Sequence, residues 1–186
     1  MSERWQVYKF GGSSLGTSGR LPKVLELVAS APRPLALVVS ALGDSTDWLI
    51  LAARSAEEGN ISQARRQLAQ VRELATATGR AVLNSQGQKG VKYDLDEILT
   101  PVERLLSGIE LTRECSNRTL DSIISVGERI SVALLARALT ERNVPAIPVD
   151  ARDFVVTDAT YGAATVDKAA TAEKFAAVSA KWTGSV

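Results

Sequence analysis

Lys9-Phe10-Gly11-Gly12-Ser13-Ser14 places a cation, two adjacent glycines and two hydroxyls at the end of a short apolar run, Trp5 to Phe10. This set can hold an anion. Glycine allows a tight turn and carries no Cβ to block approach, so backbone N–H groups come up against a ligand. Lys9 adds a positive charge beside them. The chemistry expected is a phosphate or carboxylate cradle built on Lys9, Gly11, Gly12 and Ser13. A plain tight turn with an exposed strand-end lysine is the alternative.

Two more polar turns follow. Ser40-Ala41-Leu42-Gly43-Asp44-Ser45-Thr46-Asp47, another polar, glycine-containing turn, comes directly after a second apolar run and strengthens the case for a site. A helix cap by Ser45 or Thr46 accounts for the same residues. Ser125-Val126-Gly127-Glu128-Arg129-Ile130-Ser131 opens a later helix. Its Glu128 either closes a capping box with Ser125 or presents a carboxylate to a substrate ammonium group.

Composition narrows what such a site does. There is no histidine, which removes a histidine base, a Ser-His triad and the usual zinc ligand sets. Phosphoryl transfer to a carboxylate suits this restriction. The acceptor is already ionised at neutral pH, and the protein's work is positioning and charge neutralisation. With 22 Lys and Arg against 21 Asp and Glu, the net charge of +1 gives no general attraction to nucleic acid or acidic membranes. Arg65, Arg66 and Arg72 lie without interleaved aromatics and are expected to be a solvated face. A lone cysteine, Cys115, allows no internal disulfide and is consistent with a reducing compartment. The polar start, Met1 to Arg4, is expected to carry no signal peptide, and no apolar run is long enough for a membrane span. A cytoplasmic location is expected.

The elements that position these turns follow from periodicity. Residues 5–10 read as a strand, and Leu21, Val24, Leu25 and Val28 as one face of a helix capped by Ser18, with Pro22 in its first turn. Leu35 to Val39 is a continuous apolar run suited to a strand buried on both faces of a parallel sheet. Strand, helix, strand is a βαβ unit, which puts both polar turns at the carboxyl end of the sheet, where ligands bind in open α/β folds. A helix is predicted over 47–58. Helical spacing from Ile61 and again from Leu95 predicts a helical excursion at about 61–115. Within it, 86–90 is expected to be a loop, Asp94 with Glu97 a capping box, and Pro101 a kink or restart. Val144 to Val149 is expected to be extended and at an edge, and Asp167 to Trp182 a final helix. The fold class is α/β, an open mostly parallel sheet with helices on both faces.

Three stretches together, Lys9 to Ser14, Val39 to Asp47 and Ser125 to Ser131, resemble aspartate kinase of the amino-acid kinase superfamily, and Asp150-Ala151-Arg152 looks like the family's segment at that place. The phenylalanine before the glycine pair favours aspartate kinase over acetylglutamate, glutamate 5-, carbamate and UMP kinases. The resemblance implies the amino-acid kinase fold, with residues 1–186 forming its N-terminal, aspartate-binding lobe. It implies transfer of the ATP γ-phosphoryl group to the side-chain carboxylate of L-aspartate. The product is 4-phospho-L-aspartate, the entry to lysine, threonine and methionine biosynthesis. ATP with Mg2+ would be the co-substrate, and the full-length form a homodimer. Lys9 would neutralise the transferring group, and Gly11, Gly12 and Ser13 would hold its oxygens. Thr46 and Ser40 would contact the substrate, and Glu128 would pair with its α-ammonium group.

The family continues into a Gly-Phe turn, a glycine-rich segment with an important aspartate, an arginine for the substrate α-carboxylate, the nucleotide-binding half and ACT domains. None of these is present in the 186 residues. No P-loop or Rossmann fingerprint appears, which weighs against ATPase and dinucleotide functions but not against this family. The chain is therefore expected to be a portion inactive alone. The other class is a non-catalytic amino-acid- or anion-binding regulatory module that pairs with a separate kinase subunit. A third is an amino-acid kinase with a different acceptor.

Overall fold

The computed structural model describes residues 5–16, 19–180 and 182. Strand β1 (Gln6–Phe10) and strand β2 (Leu35–Val39) pair in parallel, with Tyr8 opposite Leu37 and Phe10 opposite Val39. Between them run a single helical turn, α1 (Gly12–Leu15), and α2 (Leu21–Ser30). This is the expected βαβ unit. Pro22 lies in the first turn of α2, where its missing N–H costs nothing. The cap expected at Ser18 lies outside the described residues.

Pleating sends alternate residues to opposite faces. Tyr8, Phe10, Leu35, Leu37 and Val39 turn to the core, where Leu21, Leu25 and Val28 of α2 are buried. The other face carries Val7, Lys9 and Val38, and Val38 remains 49% exposed. The expectation that β2 is buried on both faces is corrected on this point. Its outer face opens into a cavity of about 1710 Å3, lined also by Val132 and Ala136 of a later helix and by Phe175 and Ala176 near the end of the chain.

After β2 the chain is helical. Helix α3 (Ser45–Glu57) packs on α4 (Ile61–Val82), α4 on α5 (Ser85–Thr112), and α5 on α7 (Val126–Thr140), with α6 (Asn117–Ile124) leading into α7. These helices bury the larger part of the core, including Leu49, Leu68, Val71, Leu99, Leu106 and Leu134. The helical excursion thus has the predicted extent.

Its interior differs from the prediction. Residues 86–90 are the first turns of α5, not a loop, because Asn84 caps the helix by accepting from the amides of Gln86 and Gly87. Asp94 is mid-helix and pairs with Arg137 of α7 instead of closing a capping box. Pro101 sits inside the continuous helix. Residues 144–150 are irregular and pair with neither strand, and a 3-10 turn follows at Ala151–Asp153. The last helix, α8 (Lys168–Ser179), is shorter than expected at both ends and is capped by Asp167.

Candidate functional site

Because β1 and β2 are parallel and in register, their polar turns leave the sheet side by side. The amide of Ser40 donates to Phe10 O at 3.1 Å, extending the ladder by one bond. Beyond it, α1 begins at Gly12, with Gly11 in extended conformation before it. A Cβ on Gly12 would lie 2.8 Å from Ala41 O, so glycine is required for the two turns to touch. Gly16 meets the backbone of Gly43 as closely, and Gly43 itself has φ +44. Arg20 Nη1 donates to Ser13 O at 2.8 Å and fixes the outer side of the turn.

The amides of Gly12 and Ser13 have no acceptor among the described residues. Ser13 is exposed, and so is Lys9. Lys9 Nζ lies 3.5 Å from where a Cβ on Gly11 would sit, so the ammonium group lies beside Gly11. A cation and two unpartnered donors thus share one small volume.

Thr46 is the second residue of α3 and half-buried. The cap position of α3 is Asp44, and no side chain caps it, so neither Ser45 nor Thr46 plays that part. Ser45 is buried instead, with its amide on Leu42 O at 2.9 Å.

Glu128 arrives from the opposite direction, on the first turn of α7. Its Oε1 accepts from the amide of Ala41 at 3.2 Å. No capping box forms. Ser125 Oγ donates to Ser122 O, and Ser125 has helical dihedrals (φ −60, ψ −16), whereas a capping serine is extended. No lysine or arginine among the described residues pairs with Glu128, and its side chain is exposed. One carboxylate oxygen is anchored while the charge remains available.

The geometry therefore brings the Gly11–Ser13 turn, Ser40 and Glu128 onto one short segment, Ser40 to Gly43, with Thr46 a helical turn further on. The large cavity is a different place. It touches Glu128 but none of Lys9, Gly11, Gly12, Ser13, Ser40 or Thr46. Chemistry, not volume, locates the site. Ala41, Gly16 and Gly127 are the site-building residues that the sequence reading did not single out. They carry no reactive group, and their role is close approach, which spacing does not encode.

Asp150 sits beside this region and closes a small charged cluster. It accepts from Arg152 Nη2 at 2.6 Å and faces Arg129 Nε at 3.5 Å. The Arg152 hydrogen bonds hold the Asp150 carboxyl below its ordinary range, while burial and the neighbouring Arg152 lower Arg129. The cluster ties the start of α7, and so Glu128, to the 150–153 turn. Among the described residues no three His, Cys, Asp or Glu gather as a metal site, so no metal-dependent step is derived from these side chains.

Comparison with known proteins bears on the fold and the family. The chain is 33% identical to the chloroplastic aspartokinase 1 of Arabidopsis thaliana over 82% of its own length and 26% of that protein's. It is 27% identical to a bifunctional aspartokinase/homoserine dehydrogenase of Zea mays, over 83% of this chain and 17% of that protein. Its structure matches E. coli aspartokinase III in complex with aspartate and ADP with a TM-score of 0.82 and 26% identity, covering 94% of this chain and 37% of that one. The chain thus spans between about a sixth and somewhat over a third of the length of these relatives. The profile of the amino acid kinase family matches residues 4–181, and the chain belongs to that family.

Proposed function

We propose that this chain is the aspartate-side portion of an aspartate kinase, residues 1–186 forming the amino-acid-binding part of the kinase domain. The observation that carries this reading is the anchored, uncompensated Glu128 carboxylate on the same turn that meets the glycine cradle. A substrate with an ammonium group at one end and an acceptor carboxylate at the other fits between them. L-Aspartate has both. The solved relative holds aspartate and ADP, which supports this choice.

In the proposed reaction an oxygen of the substrate side-chain carboxylate forms a bond to the γ-phosphorus of ATP. The bond from that phosphorus to the ADP oxygen breaks, giving 4-phospho-L-aspartate and ADP. No proton moves, which suits a chain without histidine. Lys9 neutralises charge growing on the equatorial oxygens, and the amides of Gly12 and Ser13, with Gly11 permitting the turn, donate to them. Ser40 and Thr46 line the acceptor side. Bound with ATP, Mg2+ would supply charge neutralisation to the phosphates. The nucleotide-binding half, ACT domains and homodimer of full-length relatives, the cytoplasmic location and the roles in lysine, threonine and methionine biosynthesis belong to this proposal. No helix among the described residues is long and apolar enough to cross a membrane.

Two assays test it. Isothermal calorimetry should show L-aspartate binding to the 186-residue chain. A coupled ADP-release assay at high protein concentration should show no turnover by the chain alone, and clear aspartate-dependent turnover refutes that part. A regulatory module pairing with a separate kinase subunit shares the binding result. It is favoured only if the protein isolated from its source has a mass near 19.8 kDa.

A further inference from the structure

Glycine is a poor helix former, yet Gly127 stands in the first turn of α7 with no left-handed backbone to explain it. Packing explains it. A Cβ at Gly127 would lie 2.7 Å from the Cβ of Ala41, 3.8 Å from Ala41 Cα and 3.8 Å from Leu49 Cδ1. The helix start therefore rests directly on the methyl group of Ala41. The next residue along α7 is Glu128, and its carboxylate accepts from the amide of that same Ala41. The carbonyl of Ala41 in turn lies where a Cβ on Gly12 would strike it. One residue thus touches the cradle through its oxygen, α7 through its methyl and Glu128 through its nitrogen.

We propose that Gly127 is a positioning residue, and that its contact with the Ala41 methyl sets how far the Glu128 carboxylate stands from the glycine cradle. The substrate part of this inference rests on the aspartate-kinase reading above; the contact itself does not. Alanine at 127 favours the helix but leaves two methyl carbons far inside the 3.4–4 Å of ordinary contact. Neither is the end of a flexible side chain, so α7 and the β2–α3 turn must separate. The bond from Ala41 N–H to Glu128 is already 3.2 Å long and does not survive that shift. Removing the methyl from the other side reverses the effect. With glycine at 41, the nearest atoms to the new Cβ lie at 3.8 Å. The pair Ala41→Gly/Gly127→Ala moves one methyl group across the contact.

The test uses the 186-residue protein and two readouts. In 15N–1H spectra the amide of residue 41 reports the hydrogen bond, with Glu128→Ala as the reference for its loss. Gly127→Ala should shift that amide to the Glu128→Ala position and speed its hydrogen exchange. In the double variant, read against Ala41→Gly and Ala41→Gly/Glu128→Ala because glycine and alanine amides differ intrinsically, both should return to the hydrogen-bonded values. By calorimetry, Gly127→Ala should weaken L-aspartate about 10- to 100-fold, the scale of a misplacement near 1 Å. The double variant should recover to within about threefold of wild type. A position-41 amide unchanged in Gly127→Ala overturns the proposal. So does an unrestored amide in the double variant, which carries the test should Gly127→Ala alone not fold. If the amide follows the expected pattern while no protein, wild type included, binds aspartate, the positioning contact stands and the aspartate reading falls.

Discussion

Replacing Glu128 with glutamine separates substrate recognition from structure. Glutamine has the same shape, and its amide oxygen still accepts from Ala41 N–H, which lies 3.2 Å from Glu128 Oε1. What is lost is the negative charge. No cation among the described residues pairs with that charge, so its removal leaves none behind. Stability should therefore change by less than about 0.5 kcal/mol, as for surface substitutions generally. Substrate binding should change far more. A hydrogen bond between an ammonium group and a carboxylate contributes about 1.5–3 kcal/mol. Glu128 is exposed, and solvent screening favours the lower end, about 1.5–2 kcal/mol. That is a loss of about 10- to 30-fold in L-aspartate affinity. Calorimetry on wild type and Glu128→Gln measures it, and thermal melting shows whether fold is affected. Raising salt should narrow the difference, because screening weakens only the charged pair. Aspartate affinity within twofold of wild type, or a loss of binding that tracks a fall in Tm, refutes the assignment of Glu128 to the α-ammonium group.

Four further variants concern the scaffold. Leu99 is fully buried in α5, and Leu99→Ala should cost about 3 kcal/mol, lowering Tm by about 6–12 °C for a chain of this size, measured by circular dichroism. Two glycine-to-alanine changes should have opposite signs. Gly59 has φ +80 and the Arg113 guanidinium occupies the space of a Cβ, so Gly59→Ala should lose about 1–2 kcal/mol or more. Gly108 lies within α5 with nothing near it, so Gly108→Ala should gain up to about 1 kcal/mol. Asp150 sets an acid dependence. Its carboxyl is depressed in the folded state by the Arg152 hydrogen bonds, so its contribution is present above the unfolded pKa and lost as pH falls through the folded one. Asp150→Asn should be less stable than wild type at pH 7, and the gap should close on acidification below about pH 4. A gap that is constant with pH contradicts the assignment.

The sheet and its two turns were legible because each strand is a short apolar run followed at once by glycine and hydroxyl residues. The helical excursion was legible from the period of its apolar residues. Within it, local rules failed wherever a glycine or carboxylate serves a distant partner. Gln86-Gly87-Gln88-Lys89-Gly90 has loop composition, yet Gly87 makes room for Glu141 and Gly90 for the Arg137 guanidinium, both on or next to α7. Asp94 and Glu97 have capping-box spacing, but Asp94 bonds Arg137, 43 residues away. Helix α6 was not foreseen, although Ser116 caps it by accepting from Thr119 N. The site was legible in its reactive groups and not in its spacers. Lys9 and Glu128 announce themselves by charge, whereas Ala41 acts through its backbone and one methyl group and Gly127 through the absence of a side chain.

The start of α7 shows how the same residue types come to serve two incompatible ends. Ser125 and Glu128 have capping-box spacing, and a Glu128 engaged in that box would bond the backbone of its own helix. The box needs an extended serine. Ser125 cannot supply one, because it is at once the C-cap of α6 and the N-cap position of α7, with its amide on Asp121 O at 3.1 Å and helical dihedrals. Two helices joined through a single helical residue leave α7 no frayed start for a side chain to seal. The chain thus forgoes a cap of about 0.5–2 kcal/mol and keeps Glu128 free to reach Ala41. Lengthening the α6–α7 joint should reverse this. Inserting one glycine between Ile124 and Ser125 keeps Ser125 three residues before Glu128, lets the serine adopt extended dihedrals and draws Glu128 into the box. The Ala41 amide should then lose its carboxylate, and L-aspartate affinity should fall as in Glu128→Gln, with α7 at least as stable to hydrogen exchange. An insertion that leaves aspartate binding intact shows that the tight joint does not keep Glu128 available.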